Sequence, residues 1–363
     1  MRELLYRIWL LVFGCLLLAG CSAIDDDLSD CPPNPTPTPT PEPPTPDEEN
    51  YELNYELRLV TNITTEINTQ LTTSTDVNVA NALRSHLQNI FTDYAHDVDL
   101  SFYDTDNDQE RLSHDQHVMN ASEKSYTLYL PMREYMHLAV ANIQDNHVID
   151  LQADDYCHTS QLALATAKKD TIDSHNTGLF TARQPMTVLE GVDQTFNVKL
   201  YMANCAAALV IDPRGYDYRD IKVFSTGFAT DFLINDSTYT FADKSPIVRT
   251  TKLDTEGASL CFCSVNFPTK EKAAAMRTVI ETEEPFEDEE SAQTFWQFRC
   301  YLTKTDGTIT ESILSVREVL RAGQFRIIRA YIGNDGEIQT SDPTVGVSVT
   351  LDWNDGGHHQ VDL

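Results

Sequence analysis

The chain is short of positive charge and of long apolar segments. Its 363 residues hold 26 lysines and arginines against 56 aspartates and glutamates, a formal net charge of −30. Such a surface repels phosphate backbones and anionic headgroups, so the composition argues against nucleic-acid partners and against electrostatic docking to a membrane. The apolar run at residues 8–18 is too short for a membrane-spanning helix, which needs about 20 residues.

Motifs of the common enzyme classes are also missing. The sequence has no H-E-x-x-H pair, no G-x-S-x-G elbow and no phosphate-binding P-loop. Its ten histidines are scattered, and the Cys/His spacing of a zinc site does not occur. His114 and His117 could share a metal ion if a strand paired them, although exposed loop histidines are commoner. We therefore predict no catalytic site, no cofactor and no metal site.

One acidic segment follows an apolar strand pattern. Asp104, Asp106 and Asp108 form a D-x-D-x-D arrangement. It is similar to the nucleophile motif of haloacid-dehalogenase-type phosphatases, but Asp108 stands where that motif has Thr or Val. Together with Glu110 and Asp115 these aspartates have the spacing of a calcium loop, yet Gln109 replaces the glycine that the turn of such a loop requires. An Asx-rich hairpin tip is the preferred interpretation, and calcium binding is the alternative.

The N-terminus has the pattern of an export signal. Arg2 and Arg7 precede the apolar run, which ends in the sequence Leu18-Ala-Gly-Cys21. A basic start, a short apolar stretch and small residues before a cut are typical of a signal peptide. The L-A-G-C ending resembles the lipobox of bacterial lipoproteins. That resemblance implies removal of residues 1–20 and attachment of diacylglycerol and an amide-linked acyl chain such as palmitate to Cys21, a stable membrane anchor.

Residues 21–50 are predicted to form an acidic and Pro/Thr-rich tether. Nine of the 16 prolines of the chain lie in the segment Pro32–Pro46. Because proline fixes φ and lacks an N–H, this segment favours extended polyproline II, a spacer of about 45 Å. No lysine or arginine lies between Cys21 and Leu57, and the first is Arg58. A trypsin-like or Arg-specific protease therefore has no site in that stretch.

Six cysteines remain after the signal peptide and the lipid site are set aside. They allow 15 pairings, and the sequence does not choose among them. Exported chains meet oxidising conditions, which favours one or two disulfides. Cys261 and Cys263 point to the same side of a strand-like stretch, so they are not expected to bond each other. The six are Cys31, Cys157, Cys205, Cys261, Cys263 and Cys300.

The rest of the sequence shows the alternation of short β-strands. Apolar residues occupy every second position in Tyr51–Leu59, and Val345–Trp353 closes the chain in the same way. Strands of this kind, separated by Gly, Asn and Asp turns, predict antiparallel sandwiches. A new alternating series begins near Gly191. We therefore expect an N-terminal sandwich over residues 51–190 and a C-terminal one over 191–363.

Helical spacing is clear at one place only. Apolar residues recur at positions 83, 87, 90, 91 and 94, which predicts an amphipathic helix across an edge or end of the first sandwich. A second helical candidate covers residues 271–280. It runs into a strongly acidic segment, which we interpret as a solvated loop.

Five segments of the mature sequence occur in an order and spacing that resemble one family. They are Cys21–Pro32 with its D-C-P step, Phe91–Asp104, Tyr126–Asn142, Phe196–Asp212 and Val345–Trp353. The resemblance is to the FimB-like fimbrial subunits, the lipoprotein anchors of type V pili in Bacteroidota. The mature sequence resembles this family over nearly its whole length.

This resemblance implies a mostly β fold with two transthyretin-like antiparallel β-sandwich domains in tandem, and no enzyme activity. It implies a lipid-anchored protein, exposed on the outer membrane, that anchors a fimbrium, limits its length and joins pilin subunits by strand complementation. In such pili an Arg-specific protease removes the first strand of the stalk subunits. Here the first strand continues the tether, so the lack of a basic residue before Arg58 favours an anchor over a stalk subunit.

The alternative is a glycan- or host-binding surface lipoprotein, an adhesin built from β-sandwich domains. Exposed aromatic side chains would favour it, and Trp296 and Trp353 are the candidates. Both lie in alternating strands, where a role in the core is the commoner outcome.

Overall fold

Strands make up most of the described chain, as predicted. The computed structural model describes residues 49–353 apart from 61–62, 73–75, 107–109, 120–122, 124, 145, 166–170 and 272–293. The signal peptide, Cys21, Cys31 and most of the tether lie outside the described residues, and so does nearly all of the second helical candidate. Neither described α-helix is long and apolar enough to cross a membrane.

The described elements are two α-helices, one short 3-10 helix at Cys157–Thr159 and 22 strands. The helices are α1 (Ile63–Thr72) and α2 (Val77–Ile90). The strands are β1 (Asn50–Val60), β2 (Asp97–Asp104), β3 (Arg111–Val118), β4 (Ser125–Pro131), β5 (Glu134–Ala141), β6 (Ile149–Gln152), β7 (Gln161–Leu164), β8 (Thr171–Asp173), β9 (Phe180–Thr187), β10 (Gln194–Met202), β11 (Cys205–Asp212), β12 (Tyr218–Thr226), β13 (Asp231–Leu233), β14 (Thr238–Thr240), β15 (Ile247–Arg249), β16 (Thr251–Leu253), β17 (Leu260–Asn266), β18 (Trp296–Lys304), β19 (Ile309–Val316), β20 (Phe325–Ile332), β21 (Ile338–Thr340) and β22 (Val345–Trp353).

These strands form four sheets. Sheet 1 has seven strands in the order β3-β2-β5-β9-β10-β1-β4, and sheet 2 has five in the order β16-β17-β11-β20-β21. Sheet 3 has six in the order β22-β19-β18-β12-β15-β8, and sheet 4 has four in the order β14-β13-β7-β6. Most neighbours are antiparallel, but β1 runs parallel to β10, β11 to β20 and β8 to β15. Local alternation carries no information on strand direction, so the sequence could not have predicted the three parallel pairs.

Sheets 2 and 3 form a sandwich with a shared core. Leu209 and Phe262 of sheet 2 belong to one buried cluster with Val223, Phe298 and Leu314 of sheet 3. In β18 and β19 buried positions alternate with half-buried ones, whereas β11 and β17 are buried on both faces. The predicted mostly β, sandwich-type architecture is confirmed.

The opposite face of sheet 2 packs against the helices. Ala206, Ala208 and Cys263 of this face lie in one buried cluster with α1, α2 and the inner face of sheet 1. Small side chains in β11 leave room for helices at this position. Gln70 of α1 fixes the contact, since its side chain bonds the backbone of Phe325 at 2.5 Å and of Ile327 at 2.9 Å.

The predicted amphipathic helix is confirmed as α2. Its N-terminus is capped by the Asp76 carboxylate, which accepts hydrogen bonds from the backbone N–H groups of Asn78 and Val79. Leu83 and Leu87 are fully buried. The helix ends at Ile90, four residues before the last apolar position of the predicted stripe.

Helix α1 was not predicted. Its apolar residues are Ile63, Ile67 and Leu71, one for each turn, and all three are buried. Threonines fill much of the remaining sequence, and their helix propensity is low. Packing against sheet 2, rather than local preference, therefore stabilises α1.

Strand pairings cross the predicted domain boundary at Gly191. β10 begins three residues after Gly191 and lies in sheet 1 between β9 and β1. β13 pairs with β7 in sheet 4, and β15 pairs with β8 in sheet 3. From Glu49 the chain forms one compact unit. The division into residues 51–190 and 191–363 stays a prediction. In sequence, β10 is the last strand of sheet 1, and the next strand, β11, belongs to sheet 2.

All five described cysteines are buried free thiols, so the disulfides expected from the sequence do not form among them. Cys261 and Cys263 lie on the same face of β17, as predicted, and both belong to the cluster beneath the helices. Burial raises the pKa of Cys261 to about 12, so its thiol stays protonated at neutral pH. The five are Cys157, Cys205, Cys261, Cys263 and Cys300.

Candidate functional site: the first strand and the core that holds it

Strand β1, the first after the tether, lies inside sheet 1 rather than at its edge. Leu53–Val60 pair in parallel with β10, and Asn50–Glu56 pair in antiparallel with β4. Leu53 and Tyr55 point into the core and are 1% and 0% exposed. Removing β1 would therefore leave a gap between β10 and β4 and open the core of sheet 1.

A buried hydrogen bond connects β1 to the opposite side of this core. The Tyr55 hydroxyl lies 2.6 Å from Nε2 of His137 on β5, two strands beyond β10 in sheet 1. His137 is itself fully buried, and its Nδ1 lies 3.1 Å from the carbonyl oxygen of Ser101. A carbonyl can only accept, so Nδ1 carries the ring proton and Nε2 accepts a hydrogen bond from the Tyr55 hydroxyl. The bond thus joins β1, β5 and β2.

Burial keeps both partners of this bond neutral. Desolvation lowers the pKa of His137 to about 4, although the hydrogen bond to Ser101 acts in the opposite direction. Desolvation also raises the pKa of Tyr55 well above its usual value. At neutral pH a protonated phenol therefore faces an uncharged imidazole. A hydrogen bond between neutral groups suits a site that water does not reach.

Aromatic rings surround the Tyr55–His137 bond. Phe102 stacks on the His137 ring with centroids 4.4 Å apart and an interplanar angle of 13°. The Tyr126 ring of β4 lies 5.1 Å from Tyr55. These rings fix the orientation of both hydrogen-bonding groups, so β1 is held by packing and by a directed polar contact.

The same ring system brings the two edges of sheet 1 together. Strands β3 and β4 lie at opposite ends of the strand order, yet His117 of β3 stacks on Tyr126 of β4 at 5.0 Å and 14°. Nε2 of His117 also lies 2.8 Å from the Glu123 carboxylate. Sheet 1 therefore curls so that side chains of its two edge strands are in contact.

The outer face of β1 is polar and exposed. Arg58, the first basic residue after Cys21, is exposed and pairs across from Lys199 of β10. Its backbone lies within the parallel ladder between β1 and β10. A protease needs an extended, unpaired segment of backbone, so cutting after Arg58 requires the end of β1 to leave the sheet.

The predicted D-x-D-x-D segment is an Asx turn at the end of β2, as far as it is described. Oδ1 of Asp104 accepts a hydrogen bond from the Asp106 backbone N–H at 2.9 Å, and Oδ2 forms an ion pair with Arg133. Both carboxylate oxygens of Asp104 are therefore engaged within the protein. Asp108 lies outside the described residues. β2 runs antiparallel to both of its neighbours, unlike the parallel strand that the phosphatase motif needs.

His114 and His117 do not share a site. They are three residues apart on β3 and so point to opposite faces of sheet 1. His114 bonds Asp99 on the outer face, whereas His117 stacks on Tyr126. Among the residues that the structure describes, no group of three or more His, Cys, Asp and Glu side chains could hold a metal ion.

Trp296 is a core residue. It is fully buried, its Nε1–H donates to the carbonyl of Glu318 at 3.1 Å, and it packs between Phe228 and Phe298. The prediction of a core role is confirmed for Trp296. For Trp353 the structure describes the backbone alone, as the last residue of β22.

The sequence did not predict the Tyr55–His137 bond. His137 was one of ten scattered histidines, and nothing in a single sequence pairs positions 82 residues apart. One signal was present: His137 interrupts the apolar run Tyr135–Ala141 in the middle of a strand that is mostly buried. A polar residue in such a run needs a buried partner, which points to a hydrogen bond across the core.

Comparison with known proteins gives one family and several solved structures. The sequence model of the fimbrillin-A associated anchor proteins Mfa1 and Mfa2 matches residues 59–233. A proposed adhesin from Bacteroides ovatus has 11% identity and a TM-score of 0.48, with 79% of this chain and 92% of that chain covered. A proposed polysaccharide-binding protein from Bacteroides thetaiotaomicron has 13% identity and a TM-score of 0.46, with 81% and 97% covered. The fimbrial anchor protein Mfa2 from Porphyromonas gingivalis has 13% identity and a TM-score of 0.42, with 85% and 98% covered.

No curated protein matches the chain. The segment matched by the family model runs from the end of β1 to the end of β13 and includes His137 and the strands around it. It bears out the fimbrial resemblance found in the sequence. Residues 59–233 of this chain are thus similar in sequence to the fimbrillin-A associated anchor proteins.

Proposed function

We propose that the protein is a lipoprotein of the outer membrane that anchors a type V fimbria at the cell surface and limits its length. Lipid on Cys21 would hold the protein to the membrane, and the Pro-rich tether would carry the folded body above it. The body would join pilin subunits by strand complementation. The role is structural, with no enzymatic step. The family match over residues 59–233 supports the fimbrial part of this proposal.

The single observation that carries the proposal is the position of β1. This strand directly follows the tether and lies inside sheet 1, where Tyr55 bonds His137 at 2.6 Å. A subunit that lost β1 would lose both its link to Cys21 and the strand that joins β10 to β4 in sheet 1. The design fits a subunit that keeps its first strand, as an anchor must.

The distribution of basic residues supports the same conclusion. Between Cys21 and Leu57 the chain has no lysine or arginine. Arg58 is the first possible site for an Arg-specific protease, and its backbone is paired in the sheet. The link between lipid and body is therefore protected by sequence in the tether and by structure in β1.

An open sheet edge is available for a partner strand. β22 is the edge strand of sheet 3, and among the described residues its backbone pairs with β19 alone. An edge of this kind can accept a strand from another subunit through main-chain hydrogen bonds. We assign strand complementation to this edge as part of the proposal.

The experiment replaces the lipidated residue in cells that make the fimbria. Cys21→Ala removes the predicted lipid site, and we expect fibres that detach into the medium and grow longer than those of the parent strain. Cys31→Ala is the matched control, because it removes a cysteine of the same tether and should leave fibres attached. Fibres that stay fully cell-bound with Cys21→Ala would overturn the anchoring role.

The alternative role as a glycan-binding adhesin was predicted to use exposed tryptophans. Trp296 cannot contact a glycan, because its side chain is fully buried in the sandwich of sheets 2 and 3. Anchoring therefore remains the proposal that the structure supports better.

A further inference from the structure

A polar cleft lies on the outer face of sheet 1, on the opposite side of β2 from the core that holds β1. Strands β2 and β3 form its floor, and β6 with the loop that precedes it forms one wall. We call it the β3–β6 cleft; its lining includes Asp99, Arg111, His114, Gln116, Asn146 and Asp150. Its volume is about 670 Å³, within the roughly 300–1,000 Å³ typical of small-molecule sites.

A nearly buried carboxylate lies at the floor of the cleft. Asp99 is 4% exposed, and its Oδ2 accepts hydrogen bonds from Nε2 of His114 at 2.9 Å and from Nε2 of Gln116 at 2.7 Å. Within the described part of the chain no group donates to the other oxygen, Oδ1. A carboxylate buried to this degree is costly unless its lone pairs are used. Asp99 therefore presents an acceptor to whatever occupies the cleft.

A β-bulge brings a positive charge to the same floor. The register between β2 and β3 shifts at Leu112, so that Ser113 pairs with Phe102 and Arg111 pairs with Tyr103. Directly opposed residues share a face, which places Arg111 on the side of Asp99. Nη1 of Arg111 donates to the Ala153 carbonyl at 2.8 Å, and this bond holds the guanidinium at the cleft wall.

A fixed amide side chain lies at the wall of the cleft. Oδ1 of Asn146 accepts hydrogen bonds from the backbone N–H groups of Val148 and Ile149, both at 2.9 Å, which fixes the side chain in place. Nδ2 of the same amide is buried and finds no acceptor among the described residues.

The chemistry of these groups selects one class of ligand. Acceptors (Asp99, Asp150), amides (Gln116, Asn146) and a guanidinium that share one cleft match a molecule whose polar groups both donate and accept. Hydroxyl groups do so, and an uncharged sugar carries several of them around a compact ring. The two carboxylates and the chain charge of −30 disfavour anions, while Arg111 offsets one of the two carboxylates.

We propose that the β3–β6 cleft binds a neutral saccharide. Asp99 would accept from one hydroxyl, and the Arg111 guanidinium would donate to another. The binding would give the protein an adhesive capacity beside its proposed anchoring role. The cleft uses the outer face of β2 and β3, so its occupation leaves β1 and the Tyr55–His137 bond untouched. Saccharide binding and fibre anchoring can therefore fail independently.

The test uses the full-length protein purified in detergent on an array of neutral oligosaccharides, with sialylated and sulfated ones on the same slide. Titration calorimetry with the neutral oligosaccharide that binds best gives the affinity. Gln116→Ala and Asp99→Asn should each weaken binding at least tenfold. Gln297→Ala is the matched control: it removes one amide bonded to the neighbouring strand, at 3.2 Å from Ser315, in sheet 3. It should leave the affinity within twofold.

Three results would overturn the proposal: no neutral oligosaccharide bound, binding confined to the charged oligosaccharides, or an affinity that Gln116→Ala leaves within twofold. Thermal melting of each variant shows whether it is folded. If Asp99→Asn does not fold, Gln116→Ala alone decides, since Gln116 lies on the exposed side of edge strand β3.

Discussion

The strands that open and close the folded body, β1 and β22, have the same sequence pattern and very different positions. Both alternate apolar and polar residues over nine or more positions. β1 lies between β10 and β4 and contributes Tyr55, which is fully buried, to a hydrogen bond across the core. β22 lies at the edge of sheet 3, and Val347 near its start is 40% exposed.

The same alternating pattern can therefore belong to a strand inside a sheet or to a strand at its edge, and the two positions suit different roles. A strand inside a sheet cannot leave without breaking two ladders and exposing the core beneath it. An edge strand breaks one ladder, and its free side can pair with another chain. In this protein the strand attached to the tether has the protected position, and the strand farthest from it in sequence has the accessible one. A subunit that bears a load through its N-terminus and meets partners elsewhere needs this arrangement.

The largest expected effect comes from removing the Tyr55 side chain. Tyr55→Ala should lower the free energy of unfolding by about 3–5 kcal/mol, because it leaves a cavity and deprives His137 of its donor. Val347→Ala in β22 should cost less than about 1 kcal/mol, since that side chain is partly exposed. Urea unfolding followed by circular dichroism compares the two. Equal losses would contradict the different positions of β1 and β22.

A smaller change isolates the hydrogen bond. Tyr55→Phe keeps the ring but leaves Nε2 of His137 without a partner in a dry core, at a cost of about 1–3 kcal/mol. Tyr55→Phe combined with His137→Phe removes both polar groups and should recover part of that loss. The unfolding free energies of the two single variants and the double variant measure the coupling. Additive losses would mean that the bond does not help to hold β1.

Acid should weaken the core around β1 through His137. This residue is neutral when folded because burial lowers its pKa from 6.5 to about 4, whereas the unfolded chain takes up a proton below about pH 6.5. Stability is therefore complete above pH 6.5 and falls as the pH drops towards 4. The contribution of His137 between pH 7 and pH 5 is about 2 kcal/mol.

Unfolding of the parent protein and of His137→Phe at both pH values measures this contribution. The variant should lose about 2 kcal/mol less than the parent on acidification. His175, whose pKa burial lowers to about 3, stays in both proteins and supplies a common background. Identical pH dependence in the two proteins would show that His137 is not buried in its neutral form.

The smallest effect is expected at Arg58 on the outer face of β1. Arg58→Gln should change stability by less than about 0.5 kcal/mol, because the side chain is exposed and faces the like charge of Lys199. The same variant removes the first protease site after Cys21. Limited digestion with an Arg-specific protease should be slow at this position in the parent protein and faster in Tyr55→Ala. Rapid cutting of the parent after Arg58 would contradict a retained β1.

Much of this fold could be predicted from periodicity. The alternation in β1 and β22 identified both strands, and the stripe around Leu83 identified α2. Periodicity reports which side chains face a core, but it does not report which strands are neighbours. The parallel pairing of β1 with β10 joins segments about 140 residues apart and follows from tertiary packing alone.

The candidate site was less accessible to sequence reasoning. The retention of β1 was predicted in part, from the missing basic residues before Arg58 and the continuity of strand and tether. The Tyr55–His137 bond and the β3–β6 cleft each combine residues from strands distant in the sequence. Arg111 reaches the cleft floor through a one-residue bulge, a local irregularity that a strict alternation pattern would place on the other face.

We propose above all that β1 stays joined to lipid-bearing Cys21 in the mature protein. Intact-mass spectrometry of the protein isolated from cell membranes tests it most directly. We expect a single chain that begins at acylated Cys21 and includes the peptide Tyr51–Arg58. A mature chain that begins at Leu59, without lipid and without β1, would contradict it.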